Sequence, residues 1–574
     1  VKAQDFLWII TTKVVFYYIM KWFNFDNNFK SNKMKTIYIL ISLLFLTGSI
    51  VDAQEFSESV QPLSTKSQKG YMYDVSKEDD GSNSITFKMK VDKKSEALTY
   101  EKYSFDKELK FKGATEAQEN KEQNEDKERT YYYTYVGGTS SFDVLSMKLK
   151  INKVVQSEKW NHEKQVYVVK KIISDETIKP RNDNGKMYYG YASYSSSDYT
   201  KSDVLTLAKV ESKDKKLADQ FLILMINDKL ELKEKALDLN GSYSLVYCKQ
   251  MPSENVVMVF APNKGASDVS NYVYFQIDIE GNIKNKSEFK SPASALLLSS
   301  AYEKNGNVYF FGTSTKSKEA FNEVFHEYAS IYNPGAGSGG NSILYLKWRK
   351  SLDEDMNNFH LLKFNGNQLD FASTTAVPEF KSKFKTAPGD KGASVYKGNS
   401  FFAESFFVTD SEDYLVAGQL ISSVNLGLAN PTDSYEDILC FHFDKMGNLK
   451  AQYGIAKMNN DKKSEIFDIK QNFYVASDGK SVYWELMEIK GVKGYESFIN
   501  AYNGYASFYP LYFPRIVKID LASNTLGAIK VLGNEKYFLK RDFASTFDKT
   551  ENSLTYIGLD EDWKQLWIGK MLMK

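Results

Sequence analysis

From about Tyr71 to the last residue, apolar and polar positions alternate in short runs. Ile85, Phe87, Met89 and Val91 fall on one side, with Thr86, Lys88 and Lys90 on the other. Leu145, Met147, Leu149 and Ile151 alternate in the same way with Ser146, Lys148 and Lys150. A period of two is that of a strand with one buried face. Sustained helical periodicity is scarce. The stretch Thr115 to Arg129 (TEAQENKEQNEDKER) has no apolar stripe and predicts a solvated loop or an exposed helix.

Two elements recur along this pattern. In the first, a strand ends in an acid or amide that leads through a turn into another short strand. Its copies are YSFDKELKF at Tyr103, LMINDKLEL at Leu224, FQIDIEGNI at Phe275, LKFNGNQL at Leu362, FHFDKMGNL at Phe441 and VKIDLASNTL at Val517. Asp or Asn accepts local backbone hydrogen bonds, and Gly or Asn accepts positive φ at the reversal, so each copy predicts a hairpin. The second element is an apolar strand that reaches a glycine. Examples are TYVGGTSSF at Thr134, VYFFGTSTK at Val308, YLVAGQLIS at Tyr414 and LTYIGLDED at Leu554. Where the order is explicit, the glycine strand comes first and the hairpin after it. A four-stranded unit of this kind cannot bury both of its faces alone, so copies must stack.

The fold expected is therefore all-β: a β-propeller of about seven blades (roughly six to eight), forming one large domain over residues 71–574. Closing a ring of sheets removes the exposed edges that an open row must protect. Two β-sandwiches are the alternative, with Thr374 to Gly398 as the segment that could join them.

The glycine strand followed by Asp437-Ile-Leu-Cys-Phe-His-Phe-Asp444 and Gly447-Asn448 resembles the repeats of exported β-propeller proteins common in Bacteroidota. The Lys, Tyr and Asn-rich composition and an Ala-Gln cleavage site are similar too. The resemblance implies a fold and a compartment and carries no catalytic residues. The C-terminal LTYIGLDEDWKQLWIGKMLMK looks like a last blade rather than a separate sorting domain. That favours the periplasm or the outer-membrane face over release into the medium.

The compartment has its own signal in the sequence. Met34 to Ala53 reads as a secretory signal peptide, with Lys33 and Lys35 as the basic flank, an apolar run from Ile37 to Leu46, and Val51 and Ala53 before a cut at Gln54. Residues 54–70 are then expected to be a flexible mature N-terminus. Residues 1–33 read as an upstream extension from a start assigned too early. The apolar run Phe6 to Phe23 keeps a membrane hairpin open as the alternative, although Lys13 and Lys21 interrupt it. No membrane span is expected in the mature chain.

Charge narrows the partner. The 574 residues hold 74 Lys and Arg against 73 Asp and Glu, so bulk electrostatics do not suggest nucleic acid. Aromatic residues make up 15%, which suits pleated, half-buried surfaces. The two cysteines, Cys248 and Cys440, lie in strand-like runs and read as separate buried thiols.

Candidate chemistry is sparse. His162, His326, His360 and His442 have no metal-ligand spacing, and His442, between Phe441 and Phe443, reads as a satisfied strand histidine. The clusters Glu78-Asp79-Asp80, Glu412-Asp413 and Asp560-Glu561-Asp562 do not match a calcium loop and read as solvated turns. Ser477-Asp478-Gly479-Lys480 reads as a plain Asp-Gly turn. No catalytic, cofactor-binding or metal-binding residue is expected, and no cofactor.

The surface signal is aromatic. Three segments share a Tyr-Ala-Ser core and contribute Tyr191 and Tyr194, Tyr328 and Tyr332, and Tyr505 and Phe508 as candidate ligand-binding residues. Loops rich in Tyr, Ser and Gly make adaptable binding surfaces. Packing of blade strands or long loops on one another would produce the same pattern. The function expected is a non-catalytic binding or scaffold protein of the bacterial envelope, with a protein or glycan partner. The alternative is a propeller hydrolase or lyase acting on polysaccharide or peptide. Carboxylates converging in the central channel would favour the enzyme.

Overall fold

The computed structural model describes residues 56–89, 97–120, 128–140, 147–161, 166–178, 188–195, 204–210, 220–226, 232–325, 356–398, 401–424, 432–458, 464–493, 509–540 and 545–574. Among them, strands form six hydrogen-bonded sheets, numbered here in chain order. Sheet 1 runs Tyr71–Lys77, Asn83–Lys88, Ala97–Phe105, Phe111–Asn120, each strand antiparallel to the next. Sheet 2 has seven strands between Glu128 and Ala236. Sheet 3 runs Tyr243–Gln250, Val256–Pro262, Asn271–Ile277, Ile283–Lys290; sheet 4 runs Leu296–Lys304, Asn307–Ser314, Asn358–Asn365, Gln368–Ala376. Sheet 5 runs Phe401–Val408, Tyr414–Val424, Thr432–Phe443, Leu449–Ile455, with Phe384–Thr386 added in parallel at its last strand.

Sheet 6 has ten strands in two halves, joined through the single pair Tyr512–Leu539. One half is built on Gln471–Val475, Ser481–Lys493 and Tyr509–Asp520. The other is built on Ser553–Asp560 and Gln565–Leu572, and its last strand is Phe56–Pro62.

These sheets stack face to face, and the buried side chains show the order. One apolar core joins sheets 2 and 3 through Leu207, Ile223, Leu245 and Phe260. Others join sheets 3 and 4 (Tyr274, Phe310, Phe364), 4 and 5 (Phe359, Phe406, Phe441), and 5 and the first half of 6 (Cys440, Tyr453, Trp484). Two more join the halves of sheet 6 (Tyr483, Tyr556, Trp567) and its second half to sheet 1 (Ile568, Phe87). First strands touch first strands in sheets 3, 4, 5 and 6. Their far ends are tied at one rim: Ser253 Oγ donates to Glu303 at 2.7 Å, Lys304 Nζ to the Val408 carbonyl at 3.0 Å, and Asn552 Nδ2 to the Val475 carbonyl at 3.2 Å. Four-stranded meanders with their first strands converging on one axis form a β-propeller.

The recurring sequence elements have clear physical roles. In the hairpin, Asp444 Oδ1 accepts the N–H groups of Met446 and Asn448, both at 2.9 Å, while Gly447 takes φ +74°. Asp278 and Gly281 repeat the device. In sheets 4 and 5 the glycine of the glycine strand lies on the second strand. A Cβ at Gly418 would sit 1.9 Å from the Phe402 carbonyl oxygen, and one at Gly312 would sit 2.6 Å from that of Leu297. Both carbonyls precede a bulge on the first strand, where Glu404 and Ser299 have no partner in the ladder. The glycine makes room for the bulge, which bends the inner strand.

Four expectations change. Phe56–Pro62 lies within the segment expected to be flexible, but it is a strand paired along its whole length with Gln565–Met571. An unprotected edge on Gln565–Leu572 gives it that partner. Thr374 to Gly398 joins no separate sandwiches. It holds the helix Val377–Ser382 and the parallel strand Phe384–Thr386, anchored by buried Phe380 and Tyr396. Thr115 to Asn120 belongs to the strand Phe111–Asn120, because the ladder with Ala97–Phe105 satisfies its backbone despite the polar side chains. The Glu412-Asp413 turn is tied down rather than merely solvated: Glu412 accepts Tyr309 Oη at 2.9 Å and Lys363 Nζ at 3.0 Å.

Candidate functional site at an inner-strand bulge

Inner-strand bulges take single residues out of register with the neighbouring strand. The register skips Tyr73, Tyr191, Val246, Ser299 and Glu404 in this way; Val246 is buried in the core between sheets 3 and 4. Glu404 is the charged one. It lies in FFAESFFV, a lone acid within an apolar run. The bulge turns its carboxylate toward the first half of sheet 6, where Asp468 and Lys470 precede the inner strand Gln471–Val475.

Lys470 Nζ lies 3.0 Å from Glu404 Oε1 and 2.5 Å from Asp468 Oδ2. The carboxylate side chains are 13% and 18% exposed, while the lysine is 57% exposed. The segment that carries them is pinned by neighbours. Ile469 N–H donates to Gln419 Oε1 at 2.6 Å, and Gln419 Nε2 donates to the Glu436 carbonyl at 2.9 Å. Tyr435 N–H donates to the Glu465 carbonyl at 2.7 Å, and Met487 N–H to the Lys470 carbonyl at 2.9 Å. The geometry is thus set before any ligand arrives.

Burial raises the Glu404 pKa to about 7. Lys470 opposes that rise, and Asp468 adds to it. Burial works against the Lys470 ammonium, but the two carboxylates outweigh it and hold its pKa above the ordinary lysine value. A carboxyl poised near neutrality can give or accept a proton. Both carboxylates share one ammonium, however. They are too close to flank a sugar ring, which needs carboxylates about 5 Å or more apart.

Other buried polar groups act as structural ties. Glu485 is fully buried and accepts Tyr556 Oη at 2.7 Å, Asn472 Nδ2 at 2.8 Å and Tyr474 Oη at 3.2 Å; burial raises its pKa. Arg515 pairs with buried Glu488 at 2.7 Å and donates to the Ala456 carbonyl at 3.0 Å. His360 lies between Ser314 Oγ at 2.8 Å and Thr374 Oγ1 at 3.1 Å, and burial lowers its pKa to about 4. This Ser–His pair is sealed in the core, so it presents no nucleophile. His442 is the satisfied strand histidine expected, with Tyr453 Oη at 3.2 Å and Asp413 Oδ1 at 3.4 Å. Cys248 and Cys440 are buried in different sheets and are not joined.

Of the aromatic candidates, Tyr191 and Tyr194 lie in the strand Tyr188–Ser195 of sheet 2. Tyr194 pairs with Leu205, and Tyr191 falls at a break in register. Tyr328, Tyr332, Tyr505 and Phe508 lie outside the described residues, as do His162 and His326. Sequence reasoning missed Glu404, Asp468 and Lys470. The available signal was the isolated acid in FFAESFFV, but nothing in the pattern paired it with residues of the next unit.

No family model matches the chain, and no curated relative does. Among solved structures, the chain is similar to a virginiamycin B lyase from Staphylococcus aureus at 12% identity and TM-score 0.23, covering 75% of this chain and 96% of that one. It is similar to an α-L-arabinanase from Penicillium chrysogenum at 8% identity and TM-score 0.24, covering 65% and 90%. It is also similar to a lignostilbene dioxygenase from Pseudomonas brassicacearum at 9% identity and TM-score 0.32, covering 77% and 89%. Likenesses this weak carry no argument about activity. The fold rests on the strand order above.

Proposed function

We propose that this is an exported, non-catalytic β-propeller of the bacterial cell envelope, released from its leader at Gln54 and acting in the periplasm, at the outer-membrane face or beyond it. It holds a protein or glycan partner through aromatic segments on one rim. Tyr191, Tyr194, Tyr328, Tyr332, Tyr505 and Phe508 are its contact residues. One observation carries the reading. The strands that flank two of the Tyr-Ala-Ser segments end at Ser314 and Lys493, opposite the rim where first-strand ends are tied together. Long connections gathered at one end of a rigid ring make a surface that can vary without cost to the core.

The test is capture of envelope proteins and glycans by the chain from Gln54 onward, compared with Tyr505→Ala/Phe508→Ala. Loss of a defined partner with unchanged thermal unfolding supports the reading. Equal capture by the variant overturns it. Mass spectrometry of the exported protein should find Gln54 as the first residue.

The second reading is a hydrolase or lyase, and what favours it is the Glu404 carboxyl poised near neutrality beside Lys470. A polysaccharide and peptide panel tests it. Turnover that is lost in Glu404→Gln would replace the binding reading with the enzyme.

A further inference from the structure

The strap between sheets 4 and 5 carries a charge pattern unlike the rest of the chain. Between Lys381 and Lys397 lie five lysines: Lys381, Lys383, Lys385, Lys391 and Lys397. None has an ion-pair partner among the described residues, whereas Lys363, Lys470 and Lys570 are each held by acids. The strap's own acids are spent on backbone. Glu379 accepts the Ala376 N–H at 3.0 Å. Asp390 accepts the N–H groups of Gly392 at 3.1 Å and Ala456 at 2.8 Å. The lysines outnumber these two acids and leave the strap with net positive charge on a chain that is nearly neutral overall.

The charge sits on a fixed frame. Phe380 and Tyr396 are fully buried at either end of the strap, and Ala387 is buried between them. Phe384 and Thr386 pair in parallel with Gln452 and Gly454. Phe384 packs against Gly454, where a Cβ would come within 2.7 Å of its ring. Lys385 follows Phe384 in the strand and so points to the opposite side, while Lys383 caps the helix immediately before it and is exposed. A crevice of about 350 Å³ opens beside them, lined by Lys385, Pro388, Asp390, Lys391, Thr525 and Leu526. That volume suits a small number of sugar rings.

We propose that this strap is a docking surface for an acidic polysaccharide, with Lys381, Lys383 and Lys385 pairing with successive carboxylates and a sugar ring seated in the crevice by Lys391. Net positive charge on a rigid edge attracts a polyanion by long-range field and holds it by salt-sensitive contacts. Phe380 and Tyr396 are buried in the core and Phe384 packs against Gly454, so the strap offers no row of exposed rings of the kind single-stranded nucleic acid stacks on. The surface lies on the last strand of sheet 5, away from the channel and its aromatic rim, and does not depend on the rim's function.

The test is binding of polygalacturonate oligosaccharides to the intact chain from Gln54 onward, with neutral dextran and single-stranded DNA of matched length as the other arms. The expected result is binding to polygalacturonate that weakens as salt rises, none to dextran, and weaker binding to DNA. Lys381→Glu/Lys383→Glu/Lys385→Glu should lower the polygalacturonate affinity at least tenfold with unchanged thermal unfolding, while Tyr505→Ala/Phe508→Ala leaves it intact. Lys381 and Lys383 are exposed and Lys385 is half-buried, so a second variant with each changed to Gln separates lost charge from misfolding. Unchanged affinity in both triple variants overturns the proposal, and so does DNA binding as tight as that of the saccharide.

Discussion

Glu404 shows how far one side chain can depart from its ordinary chemistry when the backbone displaces it. Its carboxyl keeps a proton up to about pH 7 in the fold, against an ordinary value of 4.5. Between those values the folded chain binds the proton and the unfolded chain does not, so stability falls as pH rises through the window. Burial of the charge is the main cause, and Lys470 offsets only part of it. Glu404→Gln should therefore stabilise the protein by up to about 3 kcal/mol at pH 8 and leave it unchanged at pH 4. Urea unfolding at the two pH values reads the difference. An equal effect at both, or a loss at pH 8, would show that the ion pair with Lys470 outweighs burial. Glu488 is more deeply buried than Glu404, with Arg515 against it at 2.7 Å. Removing one partner of such a pair leaves an uncompensated charge.

At the scale of the element, the inner-strand bulge and the glycine opposite it form one device. The bulge needs a strand that approaches closely, and only a residue without a Cβ permits the approach at Gly418 and Gly312. Gly418→Ala should cost about 3 kcal/mol or more, because its Cβ meets backbone that cannot move without breaking the ladder. Gly491→Ala is the control, since nothing lies within 4 Å of its Cβ position, and it should change stability little. Equal urea midpoints for the two variants would refute the account. The glycine strand and the Asp hairpin were legible in the sequence because each is local: a few residues fix a turn or a close approach. The period of two was legible for the same reason. Lys470 was not, because its meaning depends on Glu404, which arrives from another sheet. Under the two-sandwich alternative the strap could serve as the join, because its Lys and Pro content is that of a surface loop, while its two anchors, Phe380 and Tyr396, lie sixteen residues apart with no period between them.

At the scale of the whole molecule, the strand Phe56–Pro62 joins the start of the described chain to its end. Its sequence, FSESVQP, has no clean alternation, so nothing local marks it as part of a sheet. The evidence for its role lies in its partners. Seven residues pair with Gln565–Met571; Trp567 Nε1 donates to Glu58 at 2.8 Å, and Leu63 N–H to the Lys564 carbonyl at 2.8 Å. The chain is then tied to sheet 1, where Ser64 and Ser67 both donate to Glu101 at 2.5 Å. This short segment therefore bridges the last sheet and the first. A chain beginning at Tyr71 keeps every internal hairpin but leaves Gln565–Leu572 as a bare edge, which invites pairing with another molecule. It should melt at a temperature lower by roughly 10 °C and self-associate as concentration rises, both read by calorimetry and sedimentation. A synthetic peptide of residues 54–70 added in trans should restore the monomer and recover part of the melting temperature. A truncated chain that melts like the intact one and stays monomeric would mean that the face-to-face cores alone hold the ring. The strand would then be only a cover for the final edge.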